Sequence, residues 1–212
     1  MAHDFRADGL TLTRGPRRLF ADLSFSVGGG EVLILRGPNG SGKTSLLRVL
    51  AGFTQPDAGS LSCDRQNLKP LDGVGRNLML YVAHANAIKD DLSALENLQE
   101  ALRLDGMPNA AIATEALLPT LAEVGLLERR HLPARKLSQG QKRRIGLARL
   151  ALAHKVFWLL DEPTNALDAE GVSLFTAIIN RHLGRGGMAC IASHLPMQFA
   201  GTSREITLEI SA

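Results

Sequence analysis

The sequence predicts an α/β fold, and three observations carry that expectation. Apolar runs suited to buried strands (Val32-Leu33-Ile34-Leu35, Leu78-Met79-Leu80-Tyr81-Val82-Ala83, Val156-Phe157-Trp158-Leu159-Leu160 and Met188-Ala189-Cys190-Ile191-Ala192) alternate with stretches of helical periodicity. Between the first of these runs and the first helical stretch stands Gly37-Pro38-Asn39-Gly40-Ser41-Gly42-Lys43-Thr44, followed by Ser45. Strand, glycine-rich loop and helix in that order make a phosphate-binding unit. The third strand run ends in Asp161-Glu162, at the strand end where an open α/β sheet gathers its ligands.

The elements follow in order. Leu10-Thr11-Leu12-Thr13 and Leu23-Ser24-Phe25-Ser26-Val27 alternate apolar and polar residues as half-exposed antiparallel strands do, and Gly28-Gly29-Gly30 turns the chain into the buried strand at 32–35. Leu46-Leu47-Arg48-Val49-Leu50-Ala51 carries apolar positions at helical spacing, and Pro56-Asp57-Ala58-Gly59 marks a turn before the strand at 78–83. From about 90 to 133 the pattern is helical. Ser93-Ala94-Leu95-Glu96 reads as a capping box, and 109–125 as a further helix that Pro119 breaks or starts. A helical run at 142–153 precedes the strand at 156–160, and a helix over about 169–183 leads to the strand at 188–192. The expectation is one domain over 1–212, with a core at about 1–89 and 134–212 and a helical insertion at about 90–133.

Composition bounds the class. The chain has 212 residues, 45% hydrophobic and 21% charged, as a soluble globular domain does. No apolar run approaches the length of a membrane span, and Met1-Ala2-His3-Asp4-Phe5-Arg6 does not read as a signal peptide. Cys63 and Cys190 lack ligand-like neighbours and read as reduced, packed thiols of a cytosolic protein. The net charge is +3, compatible with an anionic surface and requiring none. The basic clusters Arg129-Arg130, Arg135-Lys136 and Lys142-Arg143-Arg144 lack interleaved aromatics, which are 4% of the chain, and read as solvated helix faces rather than a nucleic-acid surface.

The chemistry follows from the loop. Glycines let backbone N–H groups converge on phosphate oxygens, and the next helix adds the positive end of its dipole. Lys43 reaches the β- and γ-phosphates and the Thr44 hydroxyl ligates Mg2+, so the loop binds a nucleoside triphosphate. Asp161 holds Mg2+, and Glu162 polarises the attacking water and accepts its proton. Leu137-Ser138-Gln139-Gly140-Gln141 opens a helix, where a serine and a glycine make a second anion-binding surface.

Taken in order, the phosphate loop at 37–44, the pentad at 137–141, Asp161-Glu162, Asn165-Ala166-Leu167-Asp168 and Ser193-His194 resemble the nucleotide-binding domain of ABC transporters over essentially the whole chain. That resemblance implies a P-loop NTPase of the ABC type, with a RecA-like core, an N-terminal antiparallel β subdomain and an inserted α-helical subdomain. It also implies a head-to-tail dimer of two copies enclosing two ATP molecules. Ser138 and Gly140, with Gln141 in the same motif, then grip the γ-phosphate held by the other copy's loop. Asp168 links the two sites across the interface, and His194 contacts the γ-phosphate and orients the attacking water.

The chain departs from the family at three places. Gln139 stands where the family has glycine. The glutamine that follows the second strand is replaced by His84 or Ala85, with Asn86 beside it. The aromatic that stacks on adenine is missing near Thr13-Arg14, leaving Arg14 or Phe20 for that place. The segment at 80–98, with His84, Ile88-Lys89 and Leu92-Ser93-Ala94-Leu95-Glu96-Asn97-Leu98, is similar to the ATP-binding subunit of the bacterial heme exporter of cytochrome c maturation, the CcmA type. That similarity implies a peripheral ATPase on the cytoplasmic face of the inner membrane beneath separate membrane-spanning subunits, with heme handled only indirectly. No Cys-x-x-Cys-His occurs. An ABC subunit for another substrate and a soluble, non-transport ABC ATPase are the alternatives.

Overall fold

The computed structural model describes residues 3–69, 73–84 and 87–210. Its contacts divide the chain into two compact units: Met1–His84 with Lys155–Pro163 and Ile179–Ala212, and Ala85–His154 with Thr164–Ile178.

The first unit holds all the strands of the described residues. β1 (Asp4–Arg14) and β2 (Arg17–Gly28) pair antiparallel, and β1 also pairs antiparallel with β4 (Ala58–Cys63), which turns into β5 (Gln66–Leu68). Asp64 and Arg65 make that turn with φ of 51° and 66°, the positive pair a two-residue hairpin requires. The other sheet has the order β6 (Met79–Val82), β7 (Phe157–Asp161), β8 (Met188–Ala192), β3 (Glu31–Arg36), β9 (Thr202–Thr207), and every pairing in it is parallel. β7 and β8 are buried at every position, which is why they read as unbroken apolar runs rather than alternations. Helix α1 (Lys43–Leu50) follows β3, and α2 (Gly73–Leu78) precedes β6.

The core of this unit lies between the two sheets and α1. Phe5, Ala7, Leu10, Leu12 and Val27 come from the antiparallel sheet, Leu33, Leu35, Phe157, Leu159 and Cys190 from the parallel one, and Leu46, Leu47 and Leu50 from the helix. Phe5 meets Phe157 with ring centroids 4.7 Å apart, a tilted pair of the favourable kind. Cys63 and Cys190 are free, buried thiols, as expected. Burial pushes Cys63 up to about 11 and Cys190 higher still, so both are protonated at neutral pH.

Three strands escaped the sequence reading. β4 reads Ala-Gly-Ser-Leu-Ser-Cys, with only Leu61 and Cys63 buried, and β5 is three residues long. β9 is almost wholly exposed and polar. It is a strand because its backbone pairs with β3 from Glu31↔Thr202 to Arg36↔Thr207, a long-range pairing that leaves no local pattern.

The second unit is helical: α3 (Ala94–Leu104), α4 (Thr114–Glu123), α5 (Gln139–Leu152) and the first part of α6 (Ala169–Gly184). α3, α4 and α5 pack on one another, and Arg149 of α5 holds Asp105 at the end of α3 through two hydrogen bonds of 2.8 and 2.7 Å. The box read at Ser93 and Glu96 is formed in both directions. The reading of Pro119 is corrected: it neither breaks nor starts a helix but lies inside α4, after a separate 3-10 turn at Asn109–Ile112. A proline inside a helix costs about 3 kcal/mol, and Leu117, Thr120 and Leu121, buried on both sides of it, offset that cost.

Asn97 ties this unit's entry loop to α3. It is 5% exposed, accepts the Lys89 N–H at 2.8 Å and donates to the carbonyls of Lys89, Leu92 and Ser93 at 3.0 to 3.1 Å. Removing it leaves the Lys89 N–H without its acceptor and takes one of two donors from each of the three carbonyls. Asn97→Ala should therefore destabilise the helical unit by about 2 kcal/mol, measured by urea unfolding, with amide exchange of the Lys89 N–H rising first.

Candidate active site

Parallel pairing sets Leu35, Ala192 and Asp161 in one row across β3, β8 and β7. The residues that leave the sheet beyond that row are the phosphate loop, Asp161-Glu162 and Ser193-His194. Arg36 reinforces the arrangement by donating to the carbonyls of Ser193 and Leu195 at 2.8 and 2.7 Å.

The loop depends on its glycines. Gly37 has φ of 132°, and a Cβ there would lie 2.2 Å from the Leu208 carbonyl oxygen and 2.7 Å from Ser41 Oγ. That carbonyl is held in place because Leu208 N–H donates to Arg36 O at 2.9 Å. Gly40 and Gly42 also have positive φ, 82° and 102°. Lys43 is nearly buried and its ammonium donates to the carbonyls of Gly37 and Pro38 at 2.7 and 3.1 Å, curling over the loop it follows. Ser45 is buried in the first turn of α1, and the buried Ser41 hydroxyl has no hydrogen-bond partner among the described residues.

The acids meet this loop. Thr44 Oγ1 donates to Asp161 Oδ2 at 2.8 Å, and Asp161 is 2% exposed. Glu162 takes a φ of 49°, a left-handed conformation costing about 1–3 kcal/mol in a residue with a side chain. Two contacts hold it there: its N–H donates to Ala192 O at 2.9 Å, and its Oε1 lies 3.1 Å from His194 Nε2. The same nitrogen is 3.1 Å from Asn39 Oδ1. Both neighbours are acceptors, so the tautomer with hydrogen on Nε2 suits the contact. Loop, metal-binding candidates, candidate base and histidine thus come together within the first unit.

A second cluster forms within the helical unit. Ser138 caps α5, accepting the Gln141 N–H at 3.1 Å while Gln141 Oε1 accepts the Ser138 N–H at 3.0 Å. Gly140 lies against the Ala166 carbonyl, 3.1 Å from where a Cβ would stand. Asp168 accepts the Gly171 N–H at 2.8 Å and pairs with Arg144 at 3.1 Å, and Arg144 also holds Glu170 at 2.9 Å. The Gly171 N–H, with Arg144 behind it, keeps the Asp168 carboxyl below the usual carboxylate range. Ser138, Gly140, Gln141, Arg144, Ala166 and Asp168 line a cleft of about 450 Å3.

Sequence reasoning missed Arg144, which it read as part of a solvated basic face. The available signal was its position, three residues beyond Gln141 on the helix that Ser138 caps. Of the places where the chain departs from the family, His84 is exposed just past β6, while Ala85 and Asn86 lie outside the described residues. Arg14 is exposed at the end of β1. Phe20 is 6% exposed in the core beneath Gly42, so its ring offers no face to a base.

The crowding at Gly37 makes a sharp test. Gly37→Ala should abolish ATP binding, measured by equilibrium titration, because the methyl group cannot share space with the Leu208 carbonyl. The unfolding midpoint of the helical unit should not move.

Comparison with known proteins agrees with this fold. The family model described as ABC transporter matches residues 20–165. A cytochrome c biogenesis ATP-binding export protein, CcmA, from Nitrosomonas europaea is 44% identical over 89% of this chain and 87% of its own length. The protein of that name from Dechloromonas aromatica is 44% identical over 95% and 98%, and that from Pseudomonas aeruginosa 47% identical over 85% and 88%. Among solved structures, an ABC transporter ATP-binding protein from Pyrococcus furiosus superposes with a TM-score of 0.80 at 21% identity, covering 95% of this chain and 96% of that one. An ATP-binding subunit of an ABC transporter gives 0.82 at 22% identity, covering 98% and 88%. With a phosphate loop, a strand-end acid pair and relatives alike over nearly their full length, the chain belongs to the ABC transporter family of ATPases, in its CcmA-type cytochrome c biogenesis group.

Proposed function

We propose that this chain is the ATP-hydrolysing subunit of the heme exporter of cytochrome c maturation, and that two copies pair head to tail beneath membrane-spanning subunits on the cytoplasmic face of the bacterial inner membrane. The observation that carries the reading is the meeting of Lys43, Thr44, Asp161, Glu162 and His194 at the ends of three parallel strands. The relatives' names, which pair ATP binding with cytochrome c biogenesis and export, support the cellular role. Among the described residues no helix is long and apolar enough to cross a membrane, so transport through this subunit requires membrane partners. Heme then touches the assembly elsewhere.

Each residue has a task. The N–H groups of the loop from Gly37 through Pro38-Asn39-Gly40-Ser41-Gly42 to Thr44 and Ser45, apart from the proline and from Ser41, whose N–H donates to the Pro38 carbonyl at 3.2 Å, are available to cradle the phosphates, and Lys43 turns from the Gly37 and Pro38 carbonyls to the β- and γ-phosphates. Mg2+ suits Thr44 and Asp161, whose oxygens are 2.8 Å apart and are hard ligands of the type it takes. When bound there, it supplies charge neutralisation to the phosphates. Glu162 holds the attacking water and takes its proton as the water oxygen bonds to the γ-phosphorus. The bond from that phosphorus to the β–γ bridging oxygen breaks, leaving ADP and inorganic phosphate. His194 contacts the γ-phosphate and orients the water. Ser138, Gly140 and Gln141 present the α5 N-terminus to the γ-phosphate on the other copy's loop, and Asp168 links the two sites. The core at about 1–89 and 134–212 and the helical subdomain at about 90–133 act as one ATP-binding domain.

Two experiments test this. Glu162→Gln keeps every binding group and loses the proton acceptor. It should bind ATP within a few-fold of the parent while turnover falls about a hundredfold or more; turnover at the parent rate would remove Glu162 from the role of base. A heme-stained gel of membranes from a deletion strain should lack c-type cytochromes, and the parent gene but not Lys43→Ala should restore them. A full set of c-type cytochromes without this protein would sink the heme-export role and leave the ATPase.

A further inference from the structure

The turn between β1 and β2 carries three arginines, Arg14, Arg17 and Arg18, within five residues. The strand register sets Arg14 directly opposite Arg17, and like charges facing one another across an antiparallel pair repel. Among the described residues no carboxylate pairs with any of the three, and none has a hydrogen-bond partner for its guanidinium. Such an arrangement calls for an anion.

Arg17 is the one of the three aimed at the phosphate loop. A Cβ built on Gly40 would have a single neighbour within 4 Å, Arg17 Nη1 at 3.8 Å. Two residues along β2, where the register bulges between Arg18 and Phe20, Leu19 lies under Gly42 at 3.3 Å from where its Cβ would stand. Arg17 is partly buried, whereas Arg14 and Arg18 are exposed. The start of β2, through Arg17 at Gly40 and Leu19 at Gly42, therefore lines one side of the loop, with an unpaired cation at its tip.

We propose that Arg17 is a further nucleotide-binding residue, whose guanidinium neutralises the phosphates held by the loop. The inference rests on the reading of that loop as the ATP site. It assigns to β2 a contact with the triphosphate rather than with the base, and it relieves the repulsion between Arg17 and Arg14 when nucleotide binds. Arg18, on the opposite face of the strand, has no such part.

The test compares the whole protein with Arg17→Gln, Arg17→Lys and Arg18→Gln, titrated with ATP and with adenosine, and uses Lys43→Ala as reference. Arg17→Gln should weaken ATP binding about tenfold and leave adenosine binding unchanged. Arg17→Lys should recover part of the loss, because the charge returns without the planar fork. Arg18→Gln should bind ATP within twofold of the parent. Equal losses for ATP and adenosine would overturn the proposal, making Arg17 a base contact or a folding residue. So would ATP affinity in Arg17→Gln within twofold of the parent, or an Arg18→Gln defect as large as that of Arg17→Gln. If Lys43→Ala weakens ATP binding and Arg17→Gln does not, only this inference fails; if neither does, the ATP-site reading fails with it.

Discussion

The parallel register of β3, β8 and β7 governs everything that happens at the nucleotide loop. Because Leu35, Ala192 and Asp161 lie in one row, the chain leaves three adjacent strands at the same level. A shift of one residue would turn each strand's side chains to the opposite face and move Asp161 away from Thr44. Strands buried on both faces leave little freedom for such a shift, and β7 and β8 are buried at every position.

Within that frame, backbone conformations that side chains resist are held by their neighbours. Gly37 sits at φ 132° with the Leu208 carbonyl pressed against it, so the segment after β9 shapes the phosphate loop from outside. Glu162 sits at φ 49°, anchored by the Ala192 carbonyl on one side and by His194 on the other. Two adjacent acids thus have different surroundings. Asp161 is buried and hydrogen-bonded to the hydroxyl of Thr44, whereas Glu162 is turned by its strained backbone towards a histidine that itself reaches Asn39. That difference suits one acid to holding a cation and the other to taking a proton.

In the helical unit, stability and the proposed anion-binding surface rest on one feature. Ser138 and Gln141 close the first turn of α5 as a capping box, which fixes the helix N-terminus and leaves its dipole facing outward. Gly140 lets the Ala166 loop approach closely, and Arg144 holds Asp168 and Glu170 on that loop. The Asp168 carboxyl, lowered chiefly by the Gly171 N–H, stays ionised wherever ordinary carboxylates do. Its contribution is whole above the ordinary carboxylate pKa and disappears only as pH falls through its own lower value.

Local chemistry made much of this legible from the residues alone. Gly-x4-Gly-Lys-Thr between an apolar strand and a helix has few other uses, Ser93-Ala94-Leu95-Glu96 caps a helix wherever it stands, and the buried strands announce themselves as unbroken apolar runs. What the sequence concealed depends on partners distant in the chain. β9 is a strand only because β3 pairs with it, Pro119 is tolerated only because its neighbours are buried, and Phe20 is hidden only because the loop lies over it. Arg144 reads as surface charge until Asp168, far along the chain, gives it something to face, and nothing local singles out Arg17 until the fold sets it beside Gly40. Residue types and short spacings therefore determined the chemistry and the kind of element, since both depend on a few neighbouring residues. Only the tertiary structure decided which groups meet, because burial, strand pairing and the facing of charges are properties of residues that the chain brings together from afar.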